Sequence, residues 1–147
     1  MWARLRGRWK ALPPWARWVL AVYLAGFAEG AGDHVRWMTH GGIHAYAGSY
    51  PQVPIQVFFV GLIVLDPLTV VLVAGVQRAG IWLAVAVMAL DIAANWIGNW
   101  SRVASAPANL LETAPWVITA FGVFVFASSP ALLRLIRPET DTAPSSV

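Results

Sequence analysis

The sequence predicts an all-α fold, a four-helix transmembrane bundle with its N- and C-termini in the cytoplasm. Hydrophobic residues make up 59% of the 147-residue chain and charged residues only 12%, whereas about a quarter of an average soluble domain is charged. Four apolar stretches each approach the length of about 20 residues that crosses a bilayer. Arg and Lys residues also concentrate on one side of these stretches, as the positive-inside rule requires.

Three regions follow from this pattern. Residues 1–14 are predicted to form a basic cytoplasmic segment with four Arg or Lys residues and two Trp residues. The membrane domain covers residues 15–136, with spans at about 15–33, 53–76, 80–100 and 115–136. Residues 137–147 are rich in Pro, Thr and Ser and are predicted to be a disordered tail.

The first span begins after Pro13 and Pro14, where proline costs a helix little. Its most apolar part, residues 19–28, is short, so a cleavable signal peptide is an alternative interpretation. The three spans that follow favour a retained anchor. Residues 77–79 leave room for only a tight turn, so the second and third spans are predicted to form an antiparallel hairpin.

The basic residues define the orientation, because short cytoplasmic loops are enriched in Arg and Lys. With the N-terminus inside, only Arg36 and Arg102 lie outside. The inner basic residues are then Arg4, Arg6, Arg8, Lys10, Arg17, Arg78, Arg134 and Arg137. Tryptophan rings prefer membrane interfaces, and they agree with this frame: the inner ones are Trp15, Trp18 and Trp82, and the outer ones are Trp37, Trp96, Trp100 and Trp116.

Residues 34–52 form a long outer connection that is too polar to span the membrane and too apolar for a simple tether. We predict a partly ordered cap over the outer mouth of the bundle. His40, His44 and Asp33 are weak candidates for metal ligands, but Gly41 and Gly42 disfavour the helix that would align the two histidines. No metal or cofactor is therefore expected.

Carboxylates at membrane depth are the residues that most need an explanation, because each costs about 2.5–3.5 kcal/mol to insert. Asp66 and Asp91 lie near mid-span, and Glu29 and Asp33 lie one turn apart near the outer end of the first span. No Lys or Arg lies in a span core to neutralise them. Each carboxyl must be protonated, be hydrogen-bonded, reach water or bind a cation.

Asp66 has two interpretations. It directly precedes Pro67, so it is a candidate N-cap for a helix that restarts at the proline, where backbone N–H groups would satisfy its carboxylate. A helix broken at mid-membrane is also a common way to build a binding site. The two interpretations are compatible, and both stay open at this point.

Asp91 has no proline beside it and forms a polar stripe with Asn95 and Asn99, four and eight residues later. The stripe indicates either a polar contact between helices or a ligand-lined cleft with Asp91 at its floor, and the acid favours the cleft. The predicted ligand-binding residues are Asp91, Asn95, Asn99, Asp66, Glu29, Trp96, Trp100, Phe58, Phe59 and Trp116. If a reaction is catalysed, Asp91, Asp66 and Glu29 are the catalytic candidates.

Several function classes are excluded by what the sequence lacks. There is no cysteine, which excludes disulfides, thiolate metal sites and cysteine nucleophiles. No nucleotide-binding loop, serine-hydrolase elbow or zinc-protease motif is present. The basic residues lie at span ends, so the lipid bilayer is the expected partner and nucleic acid is not.

The four spans share an order of chemical features: an acid near the outer end of span one, an acid with a proline in span two, polar residues in span three and many aromatic residues in span four. The segments that carry these features are, in the same order, 26–33, 58–71, 90–100 and 116–134. This order resembles the EXPERA superfamily, which includes the emopamil-binding sterol isomerase and the sigma-two receptor. One difference is that the acid of span two usually precedes the proline by more than a turn, whereas Asp66 directly precedes Pro67. The resemblance implies an intramembrane pocket for a lipid-like or amine-bearing ligand.

The leading hypothesis is a membrane protein with an acidic, aromatic pocket that binds a small hydrophobic, lipid-like or cationic amphiphilic ligand. Whether it is also an acid–base isomerase of a sterol-like or isoprenoid substrate stays open. The alternatives are an accessory protein that binds a partner membrane protein through its polar residues and a small proton-coupled transporter, for which a homodimer would be needed. The excess of Arg over Lys favours a bacterial plasma membrane.

Overall fold

The computed structural model describes residues 2–48, 50–106, 108 and 115–136. Within these ranges the chain forms five helices and no strand, which confirms the all-helical class. The helices are α1 Trp2–Ala11, α2 Pro14–Ala47, α3 Val53–Ala74, α4 Arg78–Ser105 and α5 Pro115–Leu135. The predicted disordered tail, residues 137–147, lies outside the described residues.

Three of these helices, α3, α4 and α5, are long and apolar enough to cross a membrane. Helix α2 is the longest, with 34 residues, but it is not among the three. Arg17, Glu29 and Asp33 interrupt its apolar part, and glycines dilute it further. The chain therefore has the character of a membrane protein through its three C-terminal helices.

Helix α3 runs without a break through Pro67. Asp66 consequently lies inside the helix and is not the N-cap of a second helix, as one interpretation of the sequence proposed. The carboxylate of Asp66 is buried and, among the described residues, its polar partner belongs to a different helix, α2.

Helix α2 continues well beyond the predicted span, through most of the region predicted to be a partly ordered cap. Gly42 interrupts it with φ 71° and ψ 174°, a left-handed conformation that glycine adopts without a Cβ clash. The glycine thus accommodates a change of direction within a helical segment, and the residues after it reach the side of α3. The prediction that Gly41 and Gly42 disfavour a helix around His40 and His44 is therefore wrong.

The helices pack in chain order, α2 against α3, α3 against α4 and α4 against α5, and α5 also contacts α2. Residues 75–77 connect α3 to α4, two residues earlier than the predicted turn. The Tyr23 hydroxyl on α2 donates to the backbone oxygen of Val125 on α5 at 2.8 Å. Because Tyr23 is fully buried, this bond fixes the α2–α5 contact from inside the core.

Gly80, near the start of α4, is required by a close approach of α3. A Cβ at this position would lie 2.7 Å from the backbone carbon of Leu72 and 2.7 Å from the backbone nitrogen of Val73, and backbone atoms cannot move aside cheaply. We expect Gly80→Ala to lower the free energy of unfolding by at least about 1 kcal/mol, measured as a lower thermal unfolding midpoint in detergent. Gly32→Ala is the matched control, because a Cβ there meets nothing within 4 Å; an equal loss in both variants would contradict the assigned contact.

Candidate functional site

A cavity of about 720 Å³ lies among α2, α3, α4 and α5. Helix α2 contributes the largest share of its wall, and the segment after Gly42 closes part of it. The lining residues are Gly26, Phe27, Glu29, Gly30, Asp33, His34, Trp37, Tyr46, Tyr50, Phe59, Asp66, Val87, Met88, Asp91, Asn95, Val117, Ile118 and Phe121. Most of this surface is aromatic or aliphatic, which suits a hydrophobic ligand.

The charged groups of the cavity are acidic. Glu29, Asp33, Asp66 and Asp91 all line it, and none of the lining residues is Lys or Arg. Glu29 and Asp33 are exposed, whereas Asp66 is buried and Asp91 is partly buried. The cavity therefore has two carboxyls near solvent and two in its interior, and its chemistry favours a ligand that carries positive charge or donates hydrogen bonds.

Asp91 is oriented by its own helix. Asn95, one turn later, donates from Nδ2 to the Asp91 Oδ1 atom at 2.9 Å, and Asn99 donates to the backbone oxygen of Asn95 at 2.9 Å. The predicted stripe on α4 thus exists as a chain of side-chain hydrogen bonds. Of the three residues in the stripe, only Asp91 and Asn95 line the cavity. Within the described part of the chain, no hydrogen-bond donor contacts the second carboxylate oxygen of Asp91, Oδ2.

Asp66 meets His34 across the α2–α3 contact, with 3.6 Å between His34 Nε2 and Asp66 Oδ2. Gly30 makes this approach possible, because a Cβ there would lie 2.9 Å from Asp66 Oδ2. On its other side His34 Nδ1 shares a hydrogen bond with the Tyr46 hydroxyl. The Tyr46 hydroxyl donates its single proton to the backbone oxygen of Phe59 at 3.2 Å, so His34 Nδ1–H is then the donor to the Tyr46 oxygen. The contact between His34 Nε2 and Asp66 then needs one further proton, on the imidazole or on the carboxyl.

Tyr46 and Tyr50 form the aromatic cover of the cavity, on the chain segment that follows Gly42. The Tyr50 ring stacks on Phe59, with 4.5 Å between ring centroids and 15° between planes. Gln56 Nε2 donates to the Tyr50 backbone oxygen at 2.5 Å. Burial raises the pKa of the Tyr50 hydroxyl, so it stays protonated near neutral pH and remains a donor.

Half of the predicted ligand-binding residues line the cavity, namely Asp91, Asn95, Asp66, Glu29 and Phe59. The other half lie outside its wall. Trp96 donates to Thr119 Oγ1 at 3.0 Å and packs edge-on against Trp116 at 5.2 Å, so this pair ties α4 to α5. Trp100 is exposed, Asn99 bonds to its own helix, and Phe58 packs beside Phe59.

His34, Tyr46, Tyr50 and most of the α2 wall line the cavity but were not among the predicted ligand-binding residues. A usable signal was present in α2, because Gly26, Gly30, Asp33 and Trp37 recur at helical spacing on one face. Two glycines and an acid on the same face of a helix indicate that another helix or a ligand packs closely against that face. The pairing of His34 with Asp66, in contrast, depends on the register of two helices and has no local signature.

The metal candidates do not converge. His40 and His44 are exposed, and His40 Nδ1 is within 2.7 Å of the backbone oxygen of Arg36. Asp33 faces the cavity instead. Among the described residues, no group of three or more His, Cys, Asp or Glu side chains is placed to hold a metal ion.

Comparisons with protein-family models, with curated proteins and with solved structures found no match to this chain.

Proposed function

We propose that this chain is a four-span membrane protein whose cavity binds a small hydrophobic ligand with a cationic group. The observation that carries the proposal is the lining of the cavity, in which four carboxyl residues and no Lys or Arg are set among aromatic side chains. Asp66 has His34 beside it, but Asp91 has no basic side chain within reach among the described residues, and a desolvated carboxylate without one lacks a counter-ion. An amine-bearing ligand would supply that counter-ion and fill the apolar space at the same time.

The proposed topology makes α2 the first span and α3, α4 and α5 the other three. Helix α2 packs on both α3 and α5, and its Glu29 and Asp33 line the cavity. The two acids that lower the mean hydropathy of α2 are therefore part of the cavity wall. This arrangement places the start of α2, the α3–α4 turn and the end of α5 on one side of the membrane, which the Arg and Lys count assigns to the cytoplasm.

The size and walls of the cavity support a compact amphiphile. Drug-sized ligands occupy pockets of about 300–1,000 Å³, a range that includes the observed 720 Å³. Phe27, Phe59 and Phe121 line the cavity, and aromatic rings attract an ammonium group through their quadrupoles. Asp91 has a carboxylate oxygen left for the ammonium, and the apolar tail would lie against Val87, Met88 and Ile118.

A second candidate function is acid–base isomerisation of a sterol-like or isoprenoid substrate, as the resemblance to the EXPERA superfamily implies. The 3.6 Å separation of His34 and Asp66 favours it. Moving a double bond requires one group that gives a proton and one that accepts a proton, and an imidazole beside a carboxyl provides both. The binding proposal does not depend on this reaction.

The accessory-protein alternative places the polar side chains on the outer surface of the helices, where a partner could reach them. Asp66 and Asn95 are instead buried within this chain, and both line the cavity. Their position supports a small ligand over a protein partner.

The test compares two probes that share an alkyl chain, N,N-dimethyldodecylamine and 1-dodecanol, by native mass spectrometry of the full chain in detergent. We expect a saturable one-to-one complex with the amine and at least about tenfold weaker retention of the alcohol, since each factor of ten corresponds to about 1.4 kcal/mol. Equal retention of both probes would remove the case for a cation site. Equal retention that also fails to saturate would indicate nonspecific partitioning.

A further inference from the structure

The end of the molecule opposite the cavity cover carries an N-terminal helix that is anchored to the bundle by two specific bonds. Arg8 Nη1 donates to the backbone oxygen of Gly75 at 2.9 Å, and Trp9 Nε1 donates to the backbone oxygen of Ala74 at 2.8 Å. Both acceptors lie at the C-terminal end of α3, whose last carbonyls lack partners within the helix. Helix α1 is therefore held in place beneath α3.

This anchoring leaves the other basic side chains of α1 pointing away from the bundle. Arg4, Arg6 and Lys10 are exposed, while Leu5 and Trp9 are partly buried on the side that faces the bundle. The start of α2 adds the exposed Arg17, and the end of α5 adds the exposed Arg134. We call these five cations, Arg4, Arg6, Lys10, Arg17 and Arg134, the basic end.

The positive charge of the basic end is not neutralised by the described chain. The described acids, Glu29, Asp33, Asp66 and Asp91, all line the cavity. Several terminal carbonyls at this end, which carry partial negative charge, already accept hydrogen bonds. Arg8 covers the end of α3, and Arg78 Nη1 donates to the backbone oxygen of Ile136 at 3.0 Å, at the end of α5.

Exposed tryptophans surround the same end. Trp2 is 78% exposed and Trp18 is 74% exposed, and Trp15 is also largely open to its surroundings. Full exposure of so many indole rings to water is unfavourable, whereas the headgroup region of a bilayer accommodates both the ring and its N–H. Cations and indoles on one surface match the composition of an interfacial helix.

We propose that the basic end binds the headgroups of anionic phospholipids in the leaflet next to α1. The phosphates would accept hydrogen bonds from Arg4, Arg6 and Lys10, and the indole rings would lie at the depth of the glycerol backbone. The cavity and the basic end are separate sites, so this proposal does not depend on what the cavity binds.

The test measures lipid selectivity of the full chain by native mass spectrometry with equal amounts of phosphatidylglycerol and phosphatidylcholine. We expect the wild-type chain to retain phosphatidylglycerol at least about fivefold over phosphatidylcholine, since one basic residue near an anionic surface contributes about that factor. The double variant Arg4→Gln/Arg6→Gln should reduce this preference by at least about fivefold, while Lys10, Arg17 and Arg134 retain part of it. The variant keeps Arg8 and Trp9, so α1 stays anchored.

The matched control is Arg36→Gln/Arg102→Gln, which removes the same charge from the opposite end and should keep the wild-type preference. Raising the salt concentration of the wild-type sample should also reduce the preference, which tests the proposal without any substitution. Equal retention of the two lipids by the wild type would overturn the proposal. An equal loss of preference in both double variants would overturn it as well, because the effect would then reflect total charge and not the basic end.

Discussion

Asp91→Asn is expected to weaken binding of N,N-dimethyldodecylamine by at least about tenfold, because losing one partner of a desolvated charge pair costs about 2–5 kcal/mol. The substitution removes the charge that would neutralise the ammonium. It leaves an oxygen that can still accept from Asn95 Nδ2, now 2.9 Å from Asp91 Oδ1. The local helix geometry should therefore survive, and the unfolding midpoint should stay close to that of the wild type.

Asp33→Asn is the matched control for this experiment. The chemical change is identical and Asp33 also lines the cavity, but its side chain is exposed, so water screens its charge. We expect less than about a threefold change in affinity for the amine. Equal losses in the two variants would contradict a specific role for Asp91, and an unchanged affinity in Asp91→Asn would place the cation elsewhere in the cavity.

The sequence predicted the helical class and the positions of the apolar segments well, because hydropathy and helix length act locally. The α3 and α4 bounds, Val53–Ala74 and Arg78–Ser105, lie close to the predicted spans at one end or both. The polar stripe of Asp91, Asn95 and Asn99 was also read directly from helical spacing. Local periodicity sets each of these features, and no tertiary contact overrides it.

The aromatic wall was harder to predict from sequence. Trp96, Trp100 and Trp116 were assigned to the ligand, but Trp96 and Trp116 pack against each other and Trp100 is exposed. The rings that line the cavity are Phe27, Phe121, Trp37 and the tyrosines after Gly42. Which side of a helix faces a cavity depends on its rotation within the bundle, and an apolar helix carries little information about that rotation.

Gly26 shows how closely the cavity wall is fitted together. A Cβ at this position would lie 2.4 Å from the Cζ atom of Phe121, so the ring packs directly on the α2 backbone. Tyr23 and Phe27, on the same helix, meet this ring edge-on at 6.5 and 5.5 Å between centroids. The α2–α5 contact thus combines a glycine, aromatic edges and the Tyr23 hydrogen bond, and together these fix one side of the cavity.

The positive and negative side chains of the described chain lie in different parts of the molecule. Most exposed cations lie at the end that holds α1 and the α3–α4 turn, with Arg36 and Arg102 at the opposite end, and the described acids line the cavity. In the proposed topology, the end that holds α1 would face an anionic inner leaflet. No Lys or Arg lines the cavity, so a cationic ligand would not compete with one for the carboxyl of Asp91.

The contact between His34 and Asp66 gives the largest expected loss of stability. Their side chains are only 16% and 6% exposed, so neither has a good alternative partner in water. We expect His34→Ala to lower the free energy of unfolding by about 3 kcal/mol, because removing one member of a buried pair leaves the other uncompensated. The measurement is the thermal unfolding midpoint of the full chain in detergent.

A double-mutant cycle separates the pair interaction from the cavity that the smaller side chain creates. Asp66→Asn removes the charge with little change in volume, so the variant His34→Ala/Asp66→Asn should be more stable than His34→Ala alone. Strict additivity of the two single changes would show that His34 stabilises the fold through its packing and its Tyr46 hydrogen bond and not through the Asp66 carboxylate. A higher unfolding midpoint in the double variant than in His34→Ala would identify the uncompensated Asp66 carboxylate as the cause of the loss. It would also explain why a histidine of α2 lies opposite the single acid of α3.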